Sequence, residues 1–115
     1  YASAGRCVLA FLPDDERDAL LRRIRLAPLS EYSITTMAGL RANLKDTHKT
    51  GFALVDQEMQ VGIRSLAVPV FDHNANVVAS FNTFTFSSIV PEETLIERAL
   101  PTMLDVAAEF GKTII

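Results

Sequence analysis

The sequence predicts an α+β fold in which helices flank an antiparallel sheet. Three apolar segments with helical periodicity come before residue 51, three β-rich segments follow from residue 52 to residue 84, and a long amphipathic segment closes the chain. The polar stretch 72–76 joins the second and third β-rich segments, and a connection of this length is typical of an antiparallel hairpin. Strands that are grouped together and antiparallel indicate α+β rather than a parallel doubly wound sheet.

Two helices are predicted in the first 24 residues. The first covers residues 4–12 with Ser3 as its N-cap, and its apolar side chains on every side are typical of a buried helix. The second covers residues 14–24, because Pro13 suits a helix start and three acidic residues follow it. The side chains that we expect to point inward from the second helix are Leu20, Leu21 and Ile24.

The middle of the chain is predicted to contain a loop, a third helix and three strands. Residues 25–33 show no regular periodicity and form the loop. Thr35 or Thr36 caps the third helix, which directs Leu40 and Leu44 inward and ends at Gly51. The three predicted strands cover residues 52–57, 63–71 and 77–84.

The last predicted helix covers residues 91–111. Its apolar side chains recur at helical spacing, and Pro101 lies inside it, where the missing N–H should bend the helix or separate a first segment. Three strands are few for so much apolar helical surface. We therefore expect further strands upstream of Tyr1, and we expect the chain to be an excised piece because tyrosine is not a start residue.

Length and charge limit the classes of function. A chain of 115 residues is one domain. Its net charge is -3, and the only basic cluster, Arg22, Arg23 and Arg25, follows the second helix, where cations suit the helix dipole. This chain is therefore not expected to bind DNA by itself. No apolar run approaches the roughly 18–20 residues that cross a bilayer, so no membrane partner is expected.

Cysteine and histidine give no sign of a metal site or a cofactor. Cys7 is the only cysteine, which excludes an internal disulfide and fits a reducing compartment such as the cytoplasm. His48 and His73 are far apart in sequence, and neither has a second metal-ligating residue at a spacing typical of a metal site. We therefore expect no metal and no cofactor.

One candidate site is a polar face of the hairpin. Alternation places Ile63 and Ser65 on one face of the second strand and Arg64 on the other. The polar side chains predicted to share the first face are Ser65, Ser80 and Asn82. Each such group costs about 1–3 kcal/mol when it is buried without a hydrogen bond, and a ligand can supply that bond. The alternative is that this face meets solvent or that these groups bond the backbone.

A second candidate is the start of the first helix, which reads Ser3-Ala4-Gly5-Arg6. Small residues there allow a ligand to approach the free backbone N–H groups, and the helix dipole favours an anion. The alternative is a simple N-cap beside a tight packing contact.

A third candidate is the pair of carboxylates Asp56 and Glu58. Two carboxylates that are two residues apart on a strand point the same way and suit acid–base catalysis. No nucleophile motif, metal cluster or glycine-rich phosphate loop accompanies them. A salt bridge with Arg64 is the interpretation that we favour, so the protein is not expected to be an enzyme.

Several segments, taken together, resemble one known family. ASAGRCVLAFLPDDE, HKTGFALVDQEMQVGIRSLAVPVFD and NVVASFNTF, followed by a long C-terminal helix, are similar in order and spacing to the effector-binding domain of IclR-family transcriptional regulators. The resemblance covers nearly the whole chain and implies a GAF-like or profilin-like sheet flanked by helices. Residues 1–115 then form a single, partial effector-binding domain, and the DNA-binding winged helix-turn-helix lies outside them.

The resemblance also implies the partners and the site. It implies a small organic acid as effector, a homodimer or homotetramer, control of catabolic genes, and DNA contact only through the other domain. By position, the pocket residues correspond to Ser3, Ala4, Val55, Asp56, Ile63, Ser65, Asn82 and Phe84. The effector carboxylate then bonds N–H groups at the start of the first helix, and Ser65 and Asn82 orient the other polar atoms.

Departures from the family pattern bear on the effector. Val55 and Phe84 stand where members that sense small keto acids carry polar residues, which implies a more apolar effector such as an aromatic acid. The stretch DQE and GIRSLAVPV, with Asn82 in the next strand, is most similar to the subgroup that controls protocatechuate, 4-hydroxybenzoate and β-ketoadipate metabolism. Asn76 replaces the glycine usual in the hairpin turn and tolerates a left-handed conformation.

Two other functions remain open from the sequence. The chain can be an oligomerisation module without a ligand, with the hairpin as its interface. It can also be a small-molecule enzyme that uses Asp56 and Glu58, although no substrate is indicated.

Overall fold

Four helices and three strands make up the computed structural model, which describes residues 2–114. The elements in chain order are α1 (Ser3–Phe11), α2 (Asp14–Leu21), α3 (Met37–Thr50), β1 (Ala53–Asp56), β2 (Ile63–Phe71), β3 (Val77–Phe86) and α4 (Glu92–Lys112). The strands form one antiparallel sheet in the order β1-β2-β3. The predicted α+β class and the order of elements are confirmed. Tyr1 and Ile115, the ends of the predicted domain, lie outside the described residues.

The sheet lies between α1 and α4, and its two faces are named here the α1 face and the α4 face. On the α4 face the largest group of buried apolar side chains is Leu66, Val68, Val70, Leu95, Met103 and Ala107. On the α1 face Cys7 packs against Ala53 and Ala67. Burial raises the pKa of Cys7 to about 12, so its thiol stays neutral and packs as a small apolar group.

Helices α2 and α3 cover the outer side of α1. The buried residues of this second cluster are Ala10, Leu21, Leu40 and Leu44. Because α1 packs against the sheet on one side and against this cluster on the other, its apolar character on every side has a direct structural reason. Within residues 2–114, no helix is both long enough and apolar enough to span a membrane.

Local signals account for the bounds of α3 and for the proline in β2. The Thr36 hydroxyl accepts a hydrogen bond from the Gly39 N–H, and Gly51 ends α3 in a left-handed conformation with φ of 88°. In β2 the odd-numbered residues direct their backbone groups toward β1, as the Ile63 carbonyl does in accepting from the Gln57 N–H. Pro69 lies beyond the end of β1, so its missing N–H interrupts no pairing between strands.

The first two helices differ in detail from the prediction. Ser3 is not the N-cap: α1 begins at Ser3, Ala2 is the cap, and no side chain caps the helix. Helix α2 ends at Leu21 rather than residue 24, and Leu20 is 44% exposed rather than inward, because the helix buries only the stripe that contains Leu21. Ile24 packs against the core from the turn that follows. As predicted, the three arginines at positions 22, 23 and 25 are exposed at this helix end.

The hairpin and the last helix also depart from the prediction. Strand β3 continues to Phe86, two residues further than predicted. The left-handed turn residue is Ala75, with φ of 62°, and not Asn76. The Asp72 carboxylate accepts the N–H groups two and four residues on, which fixes the turn without a glycine. Helix α4 is continuous through Pro101, so no separate first segment forms.

Gly111 allows α4 to touch β2. A Cβ at this position lies 2.5 Å from the Phe71 carbonyl oxygen, well inside van der Waals contact. We expect Gly111→Ala to lower the free energy of unfolding by about 1–3 kcal/mol, measured by urea denaturation. The matched control is Gly5→Ala, which adds a methyl group to a helix at a position with no atom within 4 Å. Equal stability of the two variants would show that this contact does not constrain α4.

Candidate functional site

The register of the sheet brings predicted site residues together on the α1 face. Val55 lies opposite Ser65, and Ser65 lies opposite Phe84, so these three residues form a row across all three strands. Ile63 is the next residue of β2 on the same face, and Asn82 is the next residue of β3. The prediction that Ser65 and Asn82 share one face is confirmed.

This face is closed at β1 and open at β3. Val55 is 3% exposed, while Ile63 and Ser65 are half-buried. At the β3 edge of the same face, Asn82 is exposed and Phe84 is 66% exposed. No strand residue that the register places on this face is charged. The arrangement offers an apolar, partly aromatic floor with two polar side chains.

The start of α1 carries unused hydrogen-bonding groups. The first helical bond runs from the Arg6 N–H to the Ala2 carbonyl at 3.1 Å, so the N–H groups of Ser3, Ala4 and Gly5 have no partner within the helix. Ser3 is 2% exposed, and its hydroxyl oxygen has no hydrogen-bond partner among residues 2–114. An unpaired buried hydroxyl costs about 1–3 kcal/mol. These groups together favour an anion at this helix end.

Ser80 ties α1 to β3. Its hydroxyl donates to the Ala4 carbonyl at 3.1 Å. Of the three polar residues predicted to share the α1 face, Ser80 therefore bonds the backbone, which is the alternative raised from the sequence. Ala4 accepts this bond through its carbonyl, while its own N–H makes no hydrogen bond within the helix.

Asp56 does not lie on the α1 face. It is opposite Arg64, whose Nε donates to the Asp56 carboxylate at 3.0 Å and whose Nη1 donates to the Val90 carbonyl at 2.8 Å. The alternation that directs Val55 to the α1 face directs Asp56 to the α4 face. The expectation from the family resemblance that both residues line one pocket is therefore wrong for Asp56. The prediction that Arg64 lies on the opposite face and binds the acidic segment is confirmed.

Glu58 and Asp56 do not point the same way. Strand β1 ends at Asp56, and Gln57 adopts a left-handed conformation with φ of 61°. Glu58 is 7% exposed and binds the Arg6 guanidinium through two hydrogen bonds, at 2.8 and 2.7 Å. Each carboxylate is therefore bound to its own arginine, and the pair considered as a candidate for acid–base chemistry does not form.

Arg6 is a buried charged residue whose pairing the sequence interpretation missed. The buried residues of α1 are Ser3, Arg6, Cys7 and Ala10, which is the i, i+3, i+4, i+7 spacing of a buried stripe. A charged side chain on such a stripe is almost never buried unless it is paired. The spacing alone therefore indicates an acidic partner, although it does not identify Glu58.

A separate segment holds the backbone of Glu58 in place. The Ser33 hydroxyl donates to the Glu58 carbonyl at 2.5 Å, and the Ser30 hydroxyl donates to the Gln57 carbonyl at 2.5 Å. The Gln57 side chain in turn accepts the Gly62 N–H at 3.1 Å. The loop that follows β1 is thus fixed from two sides, and Glu58 is presented to Arg6 by a rigid backbone.

Two cavities lie away from these residues. One, of about 670 Å³, lies between α2 and α3 and is lined by charged side chains that include Arg41 and Lys45. Another, of about 410 Å³, lies where β2 extends past β1 and is lined by apolar side chains that include Pro69 and Phe71. Neither of these two cavities is lined by a predicted site residue. In the same residues, no group of three or more His, Cys, Asp or Glu is placed to hold a metal ion.

The fold and the face described above belong to the GAF-like class of α+β domains, as predicted. Residues 1–114 match the family described as "Bacterial transcriptional regulator IclR C-terminal". The chain therefore belongs to the IclR C-terminal family.

Individual relatives agree with this assignment. The Pca regulon regulatory protein of Pseudomonas putida is 32% identical over 102 residues, which is 89% of this chain and 35% of that protein. A solved structure from Rhodococcus sp. RHA1, described as a transcriptional regulator, aligns with a TM-score of 0.92 and 33% identity over 96% of this chain and 45% of its own.

A third comparison concerns the fold alone. The inducer-binding domain of PobR from Acinetobacter, a double mutant solved with 3-hydroxybenzoic acid, aligns with a TM-score of 0.91 at 23% identity, over 98% of this chain and 65% of its own. The chain thus spans between about a third and two thirds of the length of these three proteins.

Substitutions of Arg6 and Glu58 should be strongly coupled in their effects on the free energy of unfolding. Arg6→Met leaves a buried, unpaired carboxylate, and Glu58→Leu leaves a buried, unpaired guanidinium, so we expect each to lower the free energy of unfolding by about 3–5 kcal/mol. The double variant removes both charges and should recover most of that loss, as measured by urea denaturation. The control is Arg41→Met, which breaks the exposed pair with Asp18 and should change stability much less. A double variant as unstable as the single variants would contradict this account of the pair.

Proposed function

We propose that this chain is the small-molecule-sensing domain of a transcriptional regulator of catabolic genes, and that it binds an aromatic or dicarboxylic acid. The observation that carries the proposal is the start of α1, where the buried hydroxyl of Ser3, which has no hydrogen-bond partner among residues 2–114, lies beside backbone N–H groups that the helix leaves free. α1 packs on the same face of the sheet as Ser65 and Phe84.

The chemistry of this face suits an organic acid. A carboxylate accepts hydrogen bonds from the free N–H groups of α1 and from the Ser3 hydroxyl, and the helix dipole favours its charge. The apolar body of the ligand lies against Val55, Ile63 and Phe84, and the polar atoms of Ser65 and Asn82 orient it. Because Asp56 is bound to Arg64 on the other face, it has no part in this site.

The relatives support a more specific effector class. The similarity to a Pca regulon regulatory protein supports the subgroup of protocatechuate, 4-hydroxybenzoate and β-ketoadipate metabolism. The open aromatic floor at Phe84 also suits a benzoate ring better than a small keto acid. The PobR complex makes 3-hydroxybenzoate the first compound to test.

The remaining parts of the proposal concern the whole regulator. It acts in the cytoplasm as a homodimer or homotetramer, and a winged helix-turn-helix outside residues 1–115 contacts DNA. Effector binding shifts the population of domain arrangements, and this shift changes DNA affinity. A non-enzyme is supported by the relatives, which are named as regulators, and by the ion pairs that occupy Asp56 and Glu58.

One observation favours a second function, an oligomerisation module without a ligand. The end of the hairpin exposes three large apolar side chains, with Phe84 at 66%, Phe86 at 55% and Ile89 at 72%. Exposed apolar groups of this kind often mark a protein interface. Analytical ultracentrifugation with and without 3-hydroxybenzoate separates the two functions, because a ligand-free module keeps the same mass and shows no binding.

A carboxylate ligand should raise the melting temperature of the full-length protein by mass action. A concentration of a hundred times the Kd stabilises the folded state by about 2.7 kcal/mol, which is a shift of several degrees for a domain of this size. The panel is 3-hydroxybenzoate, 4-hydroxybenzoate, protocatechuate, β-ketoadipate, pyruvate and glyoxylate. Failure of every acid to shift the melting temperature would overturn the sensor function.

Ser65→Leu should abolish that shift without unfolding the domain, because the larger side chain fills the α1 face at the centre of the row. The matched control is Thr85→Leu, which places the same side chain on β3 but on the α4 face, opposite Arg64. We expect the control to keep the wild-type affinity in calorimetry. Unchanged affinity in Ser65→Leu would remove Ser65 from the site.

A further inference from the structure

The Arg6–Glu58 pair joins two parts of the proposed site that are distant in sequence, the start of α1 and the segment after β1. Arg6 belongs to the first turns of α1, one helical turn after Ser3. Glu58 follows β1, 52 residues later. Both side chains are almost fully buried, at 4% and 9% exposed. The pair is therefore a fixed link between the start of α1 and the β1 side of the sheet.

The geometry of the link leaves little freedom. Two parallel N–H···O bonds between a guanidinium and a carboxylate define both distance and orientation, which a single bond does not. The Glu58 backbone is itself held by the hydroxyls of Ser30 and Ser33. On the other side of α1, the Ala4 carbonyl is held by Ser80 of β3. The start of α1 is thus tied to β3 and to the loop that follows β1.

The charge of Arg6 is not free for a ligand. Its Nη1 and Nη2 atoms each donate to a Glu58 oxygen, so the pair contributes no net charge to the face. An acid bound at α1 must use the backbone N–H groups and the hydroxyls, and these act only when they are directed at the carboxylate. The orientation of α1 then decides how well the site distinguishes an acid from a neutral compound of the same shape.

We infer that Arg6 and Glu58 are positioning residues, which hold the start of α1 so that its N–H groups meet the effector carboxylate. This inference rests on the proposed function. Neither residue touches the effector; the pair acts through the helix. Loosening the pair therefore reduces the contribution of the carboxylate to affinity and leaves the contribution of the apolar ring on Phe84 and Val55 in place.

The test compares each acid with its neutral amide in the full-length protein. Calorimetry gives the affinities for 3-hydroxybenzoate and 3-hydroxybenzamide, and for pyruvate and pyruvamide. For at least one of the two pairs, we expect the wild type to bind the acid roughly tenfold or more tightly than the amide. The amide lacks the charge and therefore loses the charge-assisted hydrogen bonds. Arg6→Lys, which cannot form the two-bond geometry, and the double variant Arg6→Met/Glu58→Leu should lose most of that preference while still binding the amide.

The possible results distinguish a failure of this inference from a failure of the proposed function. If the wild type binds neither acid, the inference is overturned together with the proposed function. A wild-type preference that persists in Arg6→Lys and in the double variant overturns the inference alone. An equal loss of affinity for acid and amide shows a role in folding only and also overturns it. Arg41→Met, at an exposed pair away from the face, is the control that should keep the preference. Circular dichroism confirms that each variant is folded.

Discussion

The close contact between α1 and the sheet is the constraint on which the rest of the structure depends. Small residues form it, with Cys7 on Ala53 and Ala67, so the helix lies nearer to the strands than larger side chains permit. Dispersion and apolar burial hold such a contact but do not fix the direction of the helix. Direction comes from the polar ties at its start, where Ser80 binds from β3 and Glu58 binds from beyond β1.

Electrostatics on the two faces of the sheet explains how each carboxylate near β1 is paired. Asp56 is neutralised by Arg64 on the α4 face, and Glu58 is neutralised by Arg6 at the edge of the α1 face. The α1 face therefore combines an apolar floor with hydroxyls, an amide and a helix start, and no strand residue on it carries a charge. In the proposed function, this face binds a single anionic group at one end and an apolar body at the other.

Local patterns predicted most of the fold, and tertiary contacts decided what they missed. The end of α3 at Gly51 and both bounds of β2 follow from neighbouring residues and are confirmed, and of the two predicted caps, Thr35 and Thr36, the structure has Thr36. The wrong face expected for Asp56 came from the family resemblance, because alternation along a strand places the adjacent residues Val55 and Asp56 on opposite faces. The Arg6–Glu58 pair links positions 52 residues apart, so the sequence showed that Arg6 needs a partner and not which one.

The most direct measurement is an amide chemical-shift map of the isotope-labelled full-length protein during titration with 3-hydroxybenzoate. The account predicts the largest changes at Ser3, Ala4 and Gly5, followed by the row that contains Ser65, and much smaller changes at α1 with 3-hydroxybenzamide. Changes confined to the cavity between α2 and α3, with the start of α1 unaffected, would contradict the central claim that an organic acid binds at the start of α1 on the open face of the sheet.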